Sequence, residues 1–339
     1  MKVYEIETGS TSLDGLKMAE RNKPEPSAGE VLVKVHATSL NFRDQAVVTG
    51  RYFGGTVKRN TIPLSDGAGE VEAIGAGVSR FKKGDRVAGT FFQDWIDGPP
   101  PPGPHVALGS PADGMLAEYV VLNEQGLVKI PDSLSFEEGA TLPCAALTSW
   151  NALMVSSRIK PGDTVLAMGT GGVSIFALQF ARVAGARVII TSSSDDKLEH
   201  ARKLGADDTI NYRTHTDWEQ EVLKLTDGLG VDNIIEVGGV GTVGRSFQAV
   251  ACNGTVSLIG VLAGPDGDTS PHPLMFKGAR LQGIFVGSRR MFEDMNKAIE
   301  VNRIKPVIDK VFDFDQAAEA YKYQLSGQHF GKIVIMVSG

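Results

Sequence analysis

A glycine-rich segment between an apolar strand and a helix could hold a phosphate-containing ligand. Residues 164–168 form a short apolar run, typical of a buried strand in a parallel sheet. The predicted turn follows directly and consists of Gly169, Thr170, Gly171, Gly172 and Val173. Residues 175–183 then carry apolar side chains at helical spacing, and Gly185 ends the predicted helix. Such a turn lets the backbone approach a pyrophosphate, which the helix N-terminus faces with unpaired N–H groups.

This segment departs from the dinucleotide-binding fingerprint at one position. The third glycine of the fingerprint, which permits close packing of helix against strand, is Ser174 in this sequence. Serine is small enough to take that place with a modest loss of helix–strand packing. The alternative interpretation is a glycine turn of an unrelated α/β protein, because a motif match needs structural context.

Polar residues at the end of the next predicted strand, 188–190, supply that context. Folds that bind NAD usually have Asp or Glu about 20 residues after the turn, and its carboxylate accepts a hydrogen bond from the ribose 2′-hydroxyl. This sequence has Ser192 and Ser193 there, with Lys197 just beyond. Hydroxyl groups and an ammonium suit a 2′-phosphate, so the sequence predicts NADPH as cofactor. Asp195 and Asp196 are predicted to cap the following helix; the alternative is a serine-rich turn that only caps a helix.

A second glycine motif, at residues 239–244, matches the GxGxxG pattern perfectly and follows a predicted strand, 233–237. Its helix is predicted to be short, because residues 252–254 should turn the chain into another strand at 255–259. No hydroxyl or basic cluster follows that strand. We interpret the motif as a later strand end of the same sheet, whose glycines admit the middle or nicotinamide end of the cofactor. The predicted cofactor surface therefore also includes Gly238, Gly239, Gly260, Val261, Leu262, Val286 and Gly287.

Two domains are predicted to position these residues. Residues 1–130 contain short strands separated by glycine and proline turns, which predict an antiparallel barrel or sandwich. In residues 131–287, strands alternate with helical stretches, which predicts a doubly wound parallel sheet of six strands. Only one further strand is predicted beyond these residues, at 331–337, so residues 288–339 are predicted to complete the first domain.

Composition excludes several classes of protein. The 339 residues carry a net charge of −6 and no Lys/Arg run, which argues against nucleic acid or an anionic membrane as a partner. Cys144 and Cys252 are far apart and form no disulfide framework, as expected in a reducing compartment. No segment is apolar for long enough to span a bilayer, so a cytoplasmic location is predicted. The proline-rich residues 98–104 predict a stiff surface connector.

Several motifs, taken in order, resemble the medium-chain dehydrogenase/reductase superfamily along essentially the whole chain. The matching segments are 69–71, 75, 77–78, 81, 84–87, 140–148, 169–173, 204–207 and 331–332. The sequence is most similar to the zinc-free, quinone oxidoreductase-like branch. This resemblance implies a GroES-like β domain and a Rossmann domain.

The resemblance also identifies what is missing relative to the zinc alcohol dehydrogenases. That branch has Cys at the position of Asn41 and His-Glu at the positions of Ser65 and Asp66, and only Cys144 matches a ligand position. A catalytic zinc needs three protein ligands of Cys, His or carboxylate type. We therefore predict no catalytic metal, and Cys144 is predicted to be a small buried residue near the nicotinamide.

Three residues are predicted to line the reaction site. The resemblance places Asn41 near the nicotinamide ribose or the substrate, and Thr148 against the nicotinamide. Tyr52 could donate to a substrate oxygen; the alternative is an ordinary packed tyrosine. Tyr212 matches a tyrosine that relatives place at the adenosine 2′-phosphate, and Asp44 is predicted to be structural.

Three functions remain open from the sequence. The first is an NADPH-dependent reductase of quinones or α,β-unsaturated carbonyl compounds. As hydride arrives, negative charge develops on the acceptor oxygen, and conjugation spreads this charge, which zinc would otherwise stabilise. The second is a zinc-free NADP-dependent alcohol dehydrogenase or ketone reductase, and the third is a non-enzymatic NADPH-binding protein. A homodimer is predicted, because residues 281–286 form an apolar last strand whose exposed edge invites pairing.

Overall fold

The computed structural model describes residues 1–103 and 105–337. Pro104, the last residue of the predicted proline-rich connector, lies outside the described residues. The chain divides into two compact units, one formed by Met1–Leu147 with Gly287–Gly339 and the other by Thr148–Val286. The first boundary between the two units therefore follows Leu147, whereas the sequence predicted it after residue 130.

The strands in chain order are β1 Lys2–Ile6, β2 Leu16–Glu20, β3 Glu30–Ser39, β4 Asp66–Ile74, β5 Arg86–Gly89, β6 Tyr119–Asn123, β7 Leu127–Lys129, β8 Thr164–Ala167, β9 Arg187–Ser192, β10 Asp208–Asn211, β11 Val231–Glu236, β12 Val250–Leu258, β13 Arg280–Gly283, β14 Ile308–Phe312 and β15 Lys332–Met336. The α-helices are α1 Phe42–Val48, α2 Phe136–Ala140, α3 Leu147–Trp150, α4 Gly172–Val183, α5 Asp195–Lys203, α6 Trp218–Leu225, α7 Val240–Ala249, α8 His272–Lys277, α9 Arg289–Asn302 and α10 Ala317–Leu325. Segments Leu142–Ala146 and Asn151–Ser157 on either side of α3 are π-helical.

The first unit is largely antiparallel, as predicted. Strands β1 and β2 form a hairpin, and the main sheet has the order β14-β15-β3-β4-β5-β7, with β6 also paired to β3. Strand β15 pairs antiparallel with β3, which confirms that the closing strand returns to the N-terminal sheet. Among the described strands of this unit, only β14 and β15 run parallel to each other, a pairing that the antiparallel prediction missed.

Helix α1 was not predicted, and two candidate site residues flank it, Asn41 before its start and Tyr52 after its end. It begins after Asn41, whose backbone N–H donates to Oδ2 of Asp44 at 2.7 Å. An acidic side chain three residues into a helix that returns to the N-cap backbone is one half of a capping box. Asp44 therefore fixes the start of the helix, which is consistent with the structural role predicted for it.

The second unit is the predicted doubly wound sheet. Its strand order is β10-β9-β8-β11-β12-β13, and every pair is parallel. Numbered within the unit, the order is 3-2-1-4-5-6, the order of the Rossmann fold. The chain reverses direction across the sheet between β8 and β11, so a crevice for a ligand is expected outside the carboxyl ends of these two strands.

Three local predictions were wrong in this unit. Residues 252–254 do not separate two elements but form an irregularity within β12, where Asn253 has a φ of +60°. Helix α5 is capped by Ser194, whose Oγ accepts from the N–H of Lys197 at 3.4 Å, and Asp195 and Asp196 lie in its first turn. The last strand ends at Gly283, and Ile284 is buried beyond it. Among the described residues, no helix combines the length and apolar character that crossing a membrane requires.

Candidate active site

The first glycine turn lies at the carboxyl end of β8 and faces open space. Gly169 has a φ of +75°, a left-handed conformation that favours glycine. A Cβ added at Gly169 or Gly171 would meet no heavy atom within 4 Å. Gly171 is the N-cap of α4 and gives the helix no side-chain cap, so its first N–H groups are available to an anion. The turn fits a pyrophosphate.

Ser174 stands in place of the third fingerprint glycine, and α4 still packs closely against the end of β8. Its side chain is buried in the first turn of α4, and its Oγ donates to the carbonyl oxygen of Met168 at 2.5 Å. The hydroxyl thereby holds the helix against the end of the strand that precedes the turn.

In the second glycine motif, a carboxylate of the protein itself occupies the backbone N–H groups. The buried carboxylate of Glu236 accepts from the N–H groups of Gly238 at 2.7 Å and Gly239 at 3.1 Å. The same oxygen accepts from Oγ1 of Thr242 at 2.6 Å, and the other carboxylate oxygen accepts from Oγ of Ser246. A carboxylate at the start of α7 satisfies the groups that would otherwise bind a phosphate. This motif is therefore closed to a pyrophosphate, although its pattern is the more regular of the two.

The glycines within the second motif serve packing. A Cβ at Gly241 would lie 2.3 Å from the carbonyl oxygen of Ala263, and one at Gly244 would lie 2.1 Å from that of Asp268. The same holds at Gly260, where a Cβ would lie 2.3 Å from the carbonyl oxygen of Val237. These glycines permit close approach of backbone segments.

Beyond β9, the structure brings together the residues predicted at the adenosine ribose. Tyr212 follows β10, and its N–H donates to the carbonyl oxygen of Ser192 at 3.0 Å. Ser192 is buried, Ser193 and Lys197 are half-buried, and Tyr212 is 42 % exposed. The ends of β9 and β10, at which Ser192 and Tyr212 carry their hydroxyl groups, are thus adjacent, and the first turn of α5 follows β9 closely.

The other predicted cofactor residues occupy later strand ends. Val261 and Leu262 are exposed, and the N–H of Leu262 donates to the carbonyl oxygen of Val237 at 3.1 Å. Val286 is buried with a φ of +56°, and its carbonyl oxygen accepts from Nδ2 of Asn151 at 2.8 Å. Gly287 belongs to the first unit.

In the first unit, Asn41 belongs to a buried cluster of charged and polar groups. Nζ of Lys332, on β15, lies 2.6 Å from Oδ1 of Asn41, 2.6 Å from the carbonyl oxygen of Leu40 and 4.0 Å from Oδ2 of Asp66. Asp66 begins β4; its Oδ1 accepts from Oγ of Ser65 at 2.7 Å and its Oδ2 from the N–H of Cys144 at 3.2 Å. The cluster ties together segments that are distant in sequence.

Burial controls the protonation of this cluster. It raises the pKa of Asp44 to about 6, although Arg43 and the N–H of Asn41 act to lower it. Burial also raises the pKa of Asp66, opposed chiefly by Lys332. Desolvation, with the neighbouring Asp66 carboxylate, raises the pKa of the Cys144 thiol far above its usual range, so this thiol is neutral.

These residues do not fit a catalytic zinc. Only Asp66 and Cys144 offer ligand atoms, the thiol is neutral, and the Lys332 ammonium stands beside the carboxylate where a cation would bind. Within residues 1–103 and 105–337, no group of three or more His, Cys, Asp or Glu could hold a metal ion. Cys144 is partly exposed as a residue, although its thiol is desolvated, so the predicted burial holds for the sulfur but not for the whole residue.

Tyr52 follows α1 and packs on a neighbouring cation. The guanidinium carbon of Arg43 lies 4.9 Å from the Tyr52 ring centroid and 4.7 Å from that of Phe91. The Arg43 Nη atoms donate to the carbonyl oxygens of Leu108 and Ser110, so its position is fixed from several sides. Thr148, the third predicted reaction-site residue, is buried at the start of the second unit.

Comparison with known proteins agrees with this architecture. Residues 27–132 match the alcohol dehydrogenase GroES-like domain and residues 172–301 the zinc-binding dehydrogenase family. The chain is 46 % identical to a zinc-type alcohol dehydrogenase-like protein of Schizosaccharomyces pombe, over 98 % of this chain and 99 % of that protein. It belongs to the medium-chain dehydrogenase/reductase superfamily.

Other members of the superfamily differ in the activity for which they are named. A quinone oxidoreductase of Pseudomonas aeruginosa is 31 % identical, over 95 % of each chain. The crystal structure of an NAD-dependent alcohol dehydrogenase superposes with a TM-score of 0.90 at 32 % identity, covering all of both chains. This medium-chain dehydrogenase/reductase is therefore an oxidoreductase for small molecules, and its substrate and nucleotide preference must be argued from its own residues.

Sequence analysis did not identify two buried charged residues of the candidate site, Lys332 and Glu236. Lys332 was noted only as part of a motif, although a lysine at the head of the apolar run 333–337 is a signal for a buried cation. Glu236 at the end of an apolar strand, directly before two glycines, is a comparable signal. Both are carboxylate or ammonium groups that the fold buries and then satisfies with hydrogen bonds.

Proposed function

We propose that this protein is an NADPH-dependent oxidoreductase that transfers hydride to a quinone or an α,β-unsaturated carbonyl compound without a metal. The observation that carries the proposal is the Asn41–Lys332–Asp66 cluster, which stands where the zinc branch has its ligands and cannot hold zinc. Quinone and conjugated carbonyl acceptors are those whose reduction needs a metal least.

The cofactor is assigned to the second unit. The open turn at Gly169–Gly171 would bind the pyrophosphate, and Ser192, Ser193, Lys197 and Tyr212 would surround the 2′-phosphate. When bound, NADPH supplies a hydride to the acceptor. Thr148 is proposed to pack against the nicotinamide, with Gly238, Val261 and Leu262 at the later strand ends. An ammonium and three hydroxyl-bearing side chains favour a phosphate over a bare ribose hydroxyl.

The substrate oxygen needs hydrogen-bond donors, because negative charge develops on it as hydride arrives. We assign this role to Nδ2 of Asn41 and the hydroxyl of Tyr52. A well-placed donor to such an oxygen is worth about 2.7–4 kcal/mol of transition-state stabilisation. In a conjugated acceptor the charge is spread over an enolate or hydroquinone anion, whereas a saturated ketone concentrates it as an alkoxide. Neutral donors alone therefore suit the conjugated acceptor better.

A panel of acceptors tests the function. Chelator-treated protein with a zinc content well below one per chain should oxidise NADPH with a quinone or an enone faster than with a saturated ketone. Tyr52→Phe should lower kcat more than it raises KM, because the lost bond is made mainly in the transition state. Reduction of an enal to the allylic alcohol, with the double bond intact, would favour the second candidate.

That second candidate is a zinc-free NADP-dependent alcohol dehydrogenase. The names of two relatives, a zinc-type alcohol dehydrogenase-like protein and an NAD-dependent alcohol dehydrogenase, support the alcohol dehydrogenase reaction but neither the absence of zinc nor the use of NADP. NADPH binding with no turnover of any acceptor would leave the third, a nucleotide-binding protein without enzymatic activity. A requirement for stoichiometric zinc would contradict the metal-free reaction in every case.

A homodimer through the edge of the second sheet is also proposed. Strand β13 is the last strand of its sheet and exposed along its length, and Leu281 on it is 43 % exposed. On neighbouring α8, Phe276 is 82 % exposed. An uncovered strand edge beside exposed apolar side chains is a surface that a second copy could cover.

Light scattering at micromolar concentration should give the mass of a dimer. Leu281→Lys should shift the protein toward monomer, because it places two like charges at a two-fold contact. Val301→Lys, at an exposed apolar position on α9 of the other unit, is the matched control and should leave the mass unchanged. A monomeric wild-type protein would reject the proposal.

A further inference from the structure

The Lys332 ammonium belongs to the cluster of the first unit, and only 3 % of the residue is exposed. A buried ammonium is stable only when its N–H groups are all satisfied and its charge is paired. Here two N–H groups donate at 2.6 Å, to the carbonyl oxygen of Leu40 and to Oδ1 of Asn41, and the Asp66 carboxylate supplies the opposite charge at 4.0 Å. The contacts account for the position of the lysine without a ligand.

The contact with Asn41 fixes which way the amide faces. An ammonium has no acceptor, so the atom it contacts must be the carbonyl oxygen of the amide, and Nδ2 must be turned away. Asn41 is 8 % exposed, and its Nδ2 has no hydrogen-bond partner in the described part of the chain. The Asn41 amide helps to hold down the pKa of Asp66, so Nδ2 lies near that carboxylate without forming a well-aligned hydrogen bond to it. A buried donor without an acceptor is costly, and a ligand oxygen is one partner that would satisfy it.

We propose that Lys332 is a positioning residue that orients Asn41 so that Nδ2, rather than Oδ1, is presented to the substrate oxygen. The inference rests on the proposed function, which makes Asn41 a donor to that oxygen. In the absence of the ammonium, the amide is free to rotate and can present its oxygen, which repels the developing negative charge. The backbone N–H of Asn41, held by Asp44, fixes the other end of the same residue.

The proposal gives the cluster a function that packing alone does not. In this chain the ammonium contacts Asn41 at the start of α1 and Asp66 at the start of β4, and Asp66 in turn accepts from the N–H of Cys144. These are the segments in which the zinc branch carries its ligands. One lysine on β15 thus connects these segments and also selects the orientation of the donor.

Steady-state kinetics of Lys332→Met and Asn41→Ala, singly and together, test the coupling. Lys332→Met should lower kcat about tenfold with the preferred acceptor while the dissociation constant for NADPH changes less than about twofold. In the Asn41→Ala background, Lys332→Met should have almost no further effect on kcat, because its action passes through that amide. Multiplicative, independent losses would overturn the proposal.

A charge-balanced variant separates orientation from stability. Lys332→Met leaves Asp66 buried without its partner and can destabilise the fold. The double variant Lys332→Met/Asp66→Asn removes both charges and should show the same loss of kcat as the single variant. Recovery of wild-type kcat in the double variant would show that the loss came from the unpaired carboxylate, and the proposal would fail. Lys129→Met, which breaks the Lys129–Asp85 pair in the same unit, is the control and should leave kcat unchanged.

A spectroscopic readout does not depend on turnover. With nitrogen-15 confined to asparagine side chains, the Asn41 amide signal is assigned by its disappearance in Asn41→Ala. It should move in Lys332→Met and stay in place in Lys129→Met. An unmoved signal would overturn the proposal whatever the activity. If the wild-type protein reduces none of the acceptors but the signal moves, the proposed function fails and the orientation of Asn41 by Lys332 stands.

Discussion

Gly171→Val should weaken NADPH binding by about 100-fold or more, roughly 2.7 kcal/mol, without unfolding the protein. Gly171 has a φ of −79°, which valine adopts readily, and an added Cβ would meet no atom of the protein within 4 Å. The valine methyl groups would instead occupy the space in which the pyrophosphate approaches the N-terminus of α4. Fluorescence titration gives the dissociation constant, and the melting temperature should stay within about 2 °C of wild type.

Gly241→Ala in the second glycine motif is the matched control. Its Cβ would lie 2.3 Å from the carbonyl oxygen of Ala263, so the backbone must shift, at a cost of about 1–3 kcal/mol of stability. The two substitutions should therefore have opposite profiles: loss of affinity with stability kept at Gly171, and loss of stability at Gly241. Undiminished nucleotide binding by folded Gly171→Val would show that the pyrophosphate binds elsewhere.

Lys197→Ala should lower the affinity for NADPH by about 10- to 150-fold, roughly 1.5–3 kcal/mol, and should change NADH binding little. The reason is that only NADPH has the 2′-phosphate, with which a half-buried ammonium forms a charge-assisted hydrogen bond. Competitive titration of both nucleotides against the wild type and the variant measures the difference. The preference for NADPH over NADH should nearly disappear in the variant.

Lys203→Ala is the control for this prediction. Lys203 is exposed at the end of the same helix, α5, so its replacement removes an equal charge from the unit without touching the first turn. Its NADPH affinity should match that of the wild type. Tighter binding of NADH than of NADPH by the unmodified protein would refute the cofactor assignment itself.

The fold was predictable because its signals are local. Apolar runs followed by glycine turns identified strands β8 and β11, and the apolar run before the serines at 192–193 identified β9. The start of α2 is marked by an equally local pattern, the capping box of Ser135 and Glu138. Helix α1 was missed because its N-cap, Asn41, and its first residue, Phe42, lie within a motif that was interpreted for its chemistry. The irregularity in β12 was interpreted as a turn, since Asn253-Gly254 is a sequence typical of turns and only pairing with β11 keeps the segment in the sheet.

The candidate site was less predictable, because its decisive contacts join distant parts of the chain. The GxGxxG pattern at residues 239–244 is the more regular of the two, and the sequence argued against it as the pyrophosphate site only through its short helix and the missing hydroxyl or basic cluster. The physical reason, that the Glu236 carboxylate already accepts from its amides, is visible only in the structure. Lys332 and Asn41 are separated by 291 residues, so no local pattern could reveal that one orients the other. Burial and pairing, unlike periodicity, are properties of the assembled unit.

The place of β15 in its sheet has a consequence for biosynthesis. This strand lies between β14 and β3, yet it leaves the ribosome after every other strand described here. The whole of Thr148–Val286 is synthesised before it and can acquire its parallel sheet while the first unit still lacks an interior strand. Until Lys332 arrives, the Asp66 carboxylate has no cation from β15 beside it, and Asn41 has no ammonium to hold its amide. The nascent chain should therefore become able to bind nucleotide before it becomes able to reduce a substrate.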